Sequence, residues 1–421
     1  MLDTDSMAAR LKAILDDEIA RQQRNLCLIA SENYVSARVM NALASPFTNK
    51  YSEGEPFHRY YQGNQYVDEL EALLNDLIFC AFSLDKGNWH VNAKAVSAGI
   101  ANFAVLNSVL RPGDKILSMS LYDGGHLSHG WDMPDKRGVT IASRIFDVTR
   151  YHVDRRTETI NYDELEVLTR ECQPKVVITG GTAYPREIDH KRVSEIARSI
   201  NAFYFADIAH EAGLVVGHGN ATPFPYADLV SMSTQKTLRG PRGSIVICRR
   251  DLADLVDRSI FPGLQGGPFV HHMFALATAV HEALSEGFTE YVRAVLLNAK
   301  RLEDNLRSAS IRLVSGGTDK HLLLLDFRDR HFSGKQVAVA LERGGLITNY
   351  NTVPFDPRKP LNPSGVRIGT PALTTRGMGI AEMDRVSEYM CEIVRDPSAE
   401  SVQTAVREEV RSLCAKFPLW Y

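Results

Sequence analysis

The stretch Ser231-Met-Ser-Thr-Gln-Lys236-Thr-Leu-Arg-Gly-Pro-Arg-Gly243 puts one lysine just past a short apolar strand and just before a turn rich in glycine and arginine. Ala227 to Met232 supply the strand, and Gly240, Pro241 and Gly243 supply the tight turn. Thr234 and Thr237 offer hydroxyls beside the lysine, and Arg239 and Arg242 are expected to lower its pKa by like-charge repulsion. At the carboxyl end of a sheet strand such a lysine can lose its proton and attack a carbonyl. Upstream, Phe203-Tyr-Phe-Ala-Asp207-Ile-Ala-His210 ends another apolar strand in a carboxylate and an imidazole. An acid on one strand tip and a lysine on a nearby one suit pyridoxal phosphate. The lysine forms a Schiff base, and the acid keeps the pyridine nitrogen protonated so that the ring acts as an electron sink. Each residue also has a plainer use: Lys236 on the surface, Asp207 as a helix cap, His210 as a satisfied core histidine.

Outward from these strands, helix and strand patterns alternate. Helices are expected over 67–82 and 99–110, and strands over 115–120, 175–179, 203–207, 229–233 and 244–248. That alternation predicts an α/β fold, a mostly parallel sheet with helices on both faces and functional residues at the carboxyl ends of its strands. Ala9, Leu11, Ile14, Leu15 and Ile19 predict an amphipathic N-terminal helix. Near Ser285 the composition changes. A helical stripe from Phe288 to Leu306 reads as a connection between a large and a small domain, followed by strands over 311–314 and 321–327 and a helix over 334–343. The expected division is an N-terminal helical arm (1–30), a large cofactor-binding domain (31–284) and a small α+β domain (285–421).

The 421 residues are 44% hydrophobic and 24% charged, with a net charge of −3 and the two signs mixed, which argues against a nucleic-acid binder. Six scattered cysteines without a CxxC pair predict reduced thiols in a cytoplasmic protein, with neither a disulfide frame nor a metal site. Neither a secretory signal nor a membrane span is expected.

Other segments carry weaker chemistry. Ser97-Ala-Gly99-Ile-Ala-Asn102 opens a predicted helix whose backbone N–H groups suit a phosphate, or is an ordinary helix start. His126, in Gly124-Gly-His126, stacks on a cofactor ring or caps a turn. Arg367, in a glycine-flanked strand, grips a substrate carboxylate or makes a salt bridge between domains. Gly263-Leu-Gln-Gly266-Gly267-Pro268 is too glycine-dense for a helix and lets backbone approach a phosphate, including one in a neighbouring subunit.

Taken in order, Leu28-Ile-Ala-Ser-Glu-Asn33, Thr48-Asn-Lys-Tyr51-Ser-Glu53-Gly, Arg59-Tyr60-Tyr61, Gly124-Gly-His126-Leu-Ser-His129-Gly, Asp207-Ile-Ala-His210, the Lys236 stretch, Gln265-Gly-Gly-Pro, Ser315-Gly-Gly-Thr-Asp and Arg367-Ile-Gly-Thr-Pro-Ala resemble the serine hydroxymethyltransferase family. The resemblance runs from about Leu28 to the end of the chain. It implies a fold-type-I, aminotransferase-like architecture with a seven-stranded sheet and a smaller C-terminal domain. It also implies the reversible conversion of serine and tetrahydrofolate to glycine and methylenetetrahydrofolate by retro-aldol cleavage.

The resemblance also implies roles. Lys236 looks like the Schiff-base lysine, Asp207 the pyridine-nitrogen partner and His126 the stacked residue. Ser31, His210 and Arg367 resemble the group around the substrate amino acid, with Arg367 and Ser31 on its carboxylate. Ser97, Ala98, Gly99, Thr182 and Gln235 belong with the cofactor contacts. Glu53 resembles the carboxyl group that handles the substrate hydroxyl proton near folate. Tyr51, Glu53, Tyr61, Gly266 and Gly267 are expected across a homodimer interface. Tyr60, Leu121, Gly125, Leu127 and Asn351 align with the folate site.

Three places depart from the family pattern. Gln235 stands where the family has histidine. Val96-Ser97-Ala98-Gly99-Ile100 replaces a more polar phosphate loop. Tyr350 stands where many members have a basic residue. The amide of Gln235 cannot shuttle a proton near neutral pH as imidazole can. A specialised aldolase or hydroxymethyltransferase acting on another β-hydroxy or α-substituted amino acid is therefore the alternative reading. A non-catalytic relative is a third, which intact Lys236, Asp207, Glu53 and Arg367 argue against.

Overall fold

The computed structural model of the chain describes residues 4–133 and 136–421. Strands Phe203–Asp207 and Leu229–Ser233, both read from sequence, form as read, next to each other and parallel. They lie inside a seven-stranded sheet. Its spatial order is Trp89–Asn92, Ser244–Arg249, Leu229–Ser233, Phe203–Asp207, Val176–Gly180, Lys115–Met119, Asp147–Tyr151. All neighbours pair in parallel except Ser244–Arg249, which is antiparallel to both of its own. Val176–Gly180 and Leu229–Ser233 are buried at every position, as strands covered on both faces must be.

Two strands were not legible in the sequence. Trp89–Asn92 and Asp147–Tyr151 are the sheet's two edges. Asp147–Tyr151 is buried only at Tyr151 and reads Asp-Val-Thr-Arg-Tyr, without an apolar run.

The helix Gln65–Ala81 buries Val67, Leu70, Leu74 and Ile78 at helical spacing against one face of this sheet. On the other face, Ala98–Val109 is nearly all apolar and packs with Phe205, Leu229 and Val246. The stripe beyond Ser285 becomes one helix, Glu286–Ser308. Its Phe288, Tyr291, Val292 and Val295 pack into the core of the large sheet. Its Ala299, Leu302 and Leu306 pack into a second core, around the sheet Arg312–Leu313, Leu322–Asp326, Gly365–Gly369, Asn349–Asn351. One helix thus ties two hydrophobic cores together.

The N-terminal helix spans Thr4–Arg24. Leu11, Ile14 and Leu15 on its predicted apolar face are exposed, while Ile19, one turn further on, is half-buried. The segment after this helix is anchored to the second core: Leu26–Cys27 pairs in parallel with Leu346–Ile347. Arg376, buried, donates to the carbonyls of Gln22, Asn25 and Cys414 at 3.2, 2.9 and 3.2 Å, and also to those of Gln23 and Phe417. A single guanidinium therefore closes the carboxyl ends of the first and last helices. No helix among the described residues is long and apolar enough to cross a membrane.

Candidate functional site

Lys236 sits just beyond the tip of Leu229–Ser233 and is 8% exposed. Its backbone is held from three sides. Its carbonyl accepts from Asn33 Nδ2 at 2.9 Å, Thr237 Oγ1 donates to the His210 carbonyl at 2.9 Å, and Gly240 N donates to the Thr234 carbonyl at 2.7 Å. No carboxylate pairs with the ammonium among the described residues. Burial lowers its pKa from 10.5 to about 8; Arg367 and Arg242 push the same way, against Asp207 and Glu211. The expected part of Arg239 is corrected. Its guanidinium turns away to lie 4.3 Å from the Tyr291 ring centroid and 5.4 Å from that of Phe288, in a residue with φ of +57°.

Asp207 ends its strand buried. Its Oδ2 accepts from Asn102 Nδ2 at 2.7 Å and is 2.9 Å from His129 Nε2, while Oδ1 accepts from Ala209 N at 2.9 Å. Burial alone raises a carboxyl pKa, but the His129 bond and the charges of His129, His126 and Lys236 outweigh it and hold Asp207 below the usual carboxylate range. Three of its roughly four acceptor positions are used, leaving one for a further N–H donor.

His126 Nδ1 accepts from Ser128 N at 3.2 Å, so it does cap a turn, while its ring also lines the cavity in front of Lys236. Burial, with His129, Lys236 and Arg367 nearby, lowers its pKa to about 4, and it is a neutral ring at neutral pH. Ser97 likewise caps the helix Ala98–Val109, accepting from Ile100 N at 3.4 Å, with Ala98 and Gly99 beside it on the cavity wall.

Arg367 is also 8% exposed. Its Nη1 donates to the Thr182 carbonyl at 2.6 Å, Nε to Asn349 Oδ1 at 3.0 Å and Nη2 to Ser31 Oγ at 3.4 Å. None of these partners is charged, and no carboxylate among the described residues pairs with it. Desolvation lowers its pKa to about 10. The salt-bridge reading of Arg367 therefore fails among the described residues: this is a buried cation held by uncharged groups alone.

Lys236, Arg367, His126 and Ser97–Gly99 open into one cavity of about 830 Å³, which Ser31, Thr182, His210 and Gln235 also line. Two of its polar atoms, His210 Nε2 and Gln235 Oε1, are buried without a partner. The residues fit an anionic aromatic cofactor with an amino acid. Lys236 and Arg367 are buried cations on the cavity wall, Ser97–Gly99 give a helix N-terminus, and His210 Nε2 and Gln235 Oε1 are orphaned polar atoms for a ligand to satisfy, while Asp207, with a free acceptor position, does not line the cavity.

The remaining sequence-predicted residues stand elsewhere. Tyr51, Tyr60 and Tyr61 are exposed, Tyr60 by 73%. The rings of Tyr51 and Tyr61 meet edge to face at 5.4 Å, and Tyr60 lies 6.2 Å from Phe261. Glu53 raises the Tyr61 pKa through its charge. A Cβ on Gly266 would lie 3.3 Å from Glu53 Oε1, and one on Gly267 3.4 Å from the Ser52 carbonyl, so the Gly-Gly turn packs directly on this segment. None of these residues lines the Lys236 cavity, nor do Leu121, Gly125, Leu127 and Asn351. The patch rests on buried charges: Arg59 pairs with Asp68 at 2.7 Å and Glu71 at 2.6 Å, and Lys94 with Glu71 at 3.3 Å and with the exposed Glu55 at 2.6 Å. Gln265 links the two regions, donating to the Lys94 carbonyl at 2.8 Å and accepting from Val96 N at 3.2 Å.

Sequence reasoning missed the parts of Asn102, His129 and Lys94. A signal existed for Asn102, a polar residue inside the apolar run Ala101-Asn-Phe-Ala-Val-Leu106. It donates to Asp207 and Ser128 and accepts from Ser231 at 2.5 Å.

Residues 4–390 match the family model described as serine hydroxymethyltransferase. A serine hydroxymethyltransferase of Sorangium cellulosum is 44% identical over 401 residues, 95% of this chain and 92% of the relative. One of Acidobacterium capsulatum is 42% identical over 97% of this chain and 93% of its own length. One of Acidothermus cellulolyticus is 44% identical over 95% and 93%.

Proposed function

Because this chain belongs to the serine hydroxymethyltransferase family, we propose that the cavity at Lys236 is its catalytic site, completed by a second copy of the chain. The enzyme is a pyridoxal-phosphate-dependent hydroxymethyltransferase that interconverts serine and glycine, with tetrahydrofolate as the one-carbon acceptor. Pyridoxal phosphate, when bound, supplies an electron sink for the bond broken at the α-carbon of the amino acid.

Lys236 holds the cofactor. Its lowered pKa makes the free amine accessible near neutral pH. Asp207 stays ionised and holds a proton on the ring nitrogen through its remaining acceptor position. His126 would hold the face of the cofactor ring, and Ser97, Ala98, Gly99, Thr182 and Gln235 would hold the rest of it. Arg367 and Ser31 hold the substrate carboxylate, with His210 beside them. That grip orients the bond to be broken and supplies much of the rate through positioning.

The acid for the substrate hydroxyl, Glu53, comes from the partner subunit together with Tyr51, Tyr61, Gly266 and Gly267. Folate lies among Tyr60, Leu121, Gly125, Leu127 and Asn351. Support for a homodimer comes from two exposed surfaces: the apolar face of Thr4–Arg24 and the tyrosine patch. Two domains, 31–284 and 285–421, with the arm 1–30, remain the division we favour, and six unpaired cysteines suit a cytoplasmic protein.

The observation that carries the reading is that two buried cations without a carboxylate partner, Lys236 and Arg367, share one cavity with a helix N-terminus. The test is the visible absorbance of the purified protein together with serine cleavage in the presence of tetrahydrofolate. Wild type should show both, and Lys236→Ala neither. An unchanged spectrum in Lys236→Ala would overturn the assignment.

A further inference from the structure

His210 does not stand alone in the cavity wall. Behind it lies His321, from the segment that enters Leu322–Asp326 in the second sheet. The two rings lie edge to edge with nearly parallel planes, centroids 5.4 Å apart and planes at 15°, and His210 Nδ1 is 3.2 Å from His321 Nε2. His321 is fully buried and His210 nearly so. The chain on each side is clamped. Glu211 and Lys320, the residue after His210 and the residue before His321, form a buried ion pair. The His321 carbonyl accepts from Thr370 N at 3.1 Å, and the His210 carbonyl from Thr237 Oγ1 at 2.9 Å. Of the two nitrogens that remain, His210 Nε2 has no partner among the described residues, and His321 Nδ1 faces the Ala30 carbonyl.

Burial pushes both pKa values down, and Lys236, Arg367 and Lys320 push the same way, so both rings are neutral at neutral pH. A neutral imidazole carries one proton. The single contact between the rings therefore couples their tautomers. If His321 Nε2–H donates, His210 carries its proton on Nε2 and presents a donor to the cavity. If His210 Nδ1–H donates instead, His210 presents a bare lone pair, and the His321 proton sits on Nδ1 near the Ala30 carbonyl. A carboxylate is acceptor-only. Beside Arg367 it gains a hydrogen bond in the first arrangement and meets a lone pair in the second, whereas the Ala30 carbonyl is served only in the second, so a bound carboxylate is what tips the pair to the first.

We propose that His321 is a positioning residue for amino-acid binding: its Nε2–H donates to His210 Nδ1 and thereby holds His210 Nε2–H toward the substrate carboxylate. The proposal rests on the catalytic reading of this cavity, but the coupling between the rings is measurable without it.

The test uses the holoenzyme labelled with 15N-histidine, with glycine bound, and the variants His321→Leu and His321→Gln. Leucine keeps volume and removes the donor. Glutamine returns an amide N–H close to the lost Nε2. In wild type the nitrogen shifts of His210 should report the Nε2–H tautomer, and in His321→Leu that signature should be lost. His321→Leu should raise the KM for serine by about tenfold to a hundredfold, the worth of one hydrogen bond to a charged group, with cofactor absorbance retained and kcat changed far less. His321→Gln should recover most of that loss.

An Nδ1–H tautomer of His210 in the glycine complex would overturn the proposal, as would an unchanged KM in His321→Leu. Equal losses in both variants would do the same, because a merely structural role predicts no rescue. If His321→Leu does not fold, the wild-type tautomer and the His321→Gln kinetics decide. A wild-type protein with neither cofactor absorbance nor serine cleavage would instead overturn the catalytic reading, while the dependence of the His210 shifts on residue 321 would still report the coupling.

Discussion

Around Lys236 the polar groups are buried, and most are fixed by partners drawn from distant parts of the chain. Around Tyr51, Glu53, Tyr60 and Tyr61 the rings stand open to solvent, on a segment anchored from behind by Arg59 and Lys94. Both regions carry residues that the sequence motifs single out. The contrast shows that a motif marks chemistry without saying whose cavity it serves. The first region is a buried pocket and the second an exposed surface, and on the proposed reading a second copy of the chain would bring the two together.

The largest expected effect tests that relation directly. Lys236→Ala and Glu53→Gln should each lose a thousandfold or more of activity, on the order set by acid–base and nucleophile losses. Mixed and allowed to exchange subunits, the two inactive variants should recover about a quarter of wild-type activity, because half of the dimers are hybrids and each hybrid holds one intact site. No recovery would mean that both regions serve the same subunit.

Next in size is Arg367→Leu. Removing the buried cation that has no carboxylate partner should raise the KM for serine by roughly a hundredfold to a thousandfold, since a buried charge pair is worth several kcal/mol, and should leave the cofactor absorbance in place. Loss of the absorbance instead would assign Arg367 to the cofactor.

A smaller effect appears in stability. The folded pKa of Lys236, about 8, lies below its unfolded value of 10.5. The unfolded chain binds more protons between those values, so the cofactor-free protein gains stability as pH rises from 8 to 10.5. Lys236→Met removes this dependence. At about pH 7 it should be the more stable protein, with a pH-dependent part of up to about 3 kcal/mol, and that part should vanish as pH approaches 10.5. Denaturant midpoints across this range measure it, and a constant difference would show that burial does not destabilise the ammonium.

The smallest contrast separates two glycines. A Cβ on Gly125 would lie 2.3 Å from the Met119 carbonyl oxygen, whereas one on Gly99 would have nothing within 4 Å. Gly125→Ala should cost about 1–3 kcal/mol by overpacking, and Gly99→Ala about 0.5 kcal/mol or less either way. Thermal unfolding of the two variants reads the difference. A costly Gly99→Ala would mean that its backbone, rather than the space around it, constrains the cavity wall.

Much of the architecture was legible because its patterns are local. Phe203–Asp207 and Leu229–Ser233 are almost wholly buried and read as apolar runs, and Gln65–Ala81 shows its buried face at helical spacing. Asp147–Tyr151 was not, because an edge strand with one buried residue has no apolar run to read. In the same way Lys236 and Asp207 could be picked out as strand-tip residues, while the plainer and the chemical readings of Arg367 stayed level and His210 taken alone read as a core histidine. Their partners are far away in the chain: Thr182 and Ser31 for Arg367, His321 for His210.

By itself the sequence determined the strand tips, the lysine and acid placed on them, and the family whose motifs they share. Only the tertiary structure decided that no carboxylate among the described residues pairs with Arg367, that burial more than neighbouring arginines lowers the Lys236 pKa, and that Glu53 and Tyr61 do not line the Lys236 cavity. The physical reason is one of range. Hydrophobic period and turn chemistry act over a few residues, whereas burial and charge pairing depend on which strands the crossovers bring side by side.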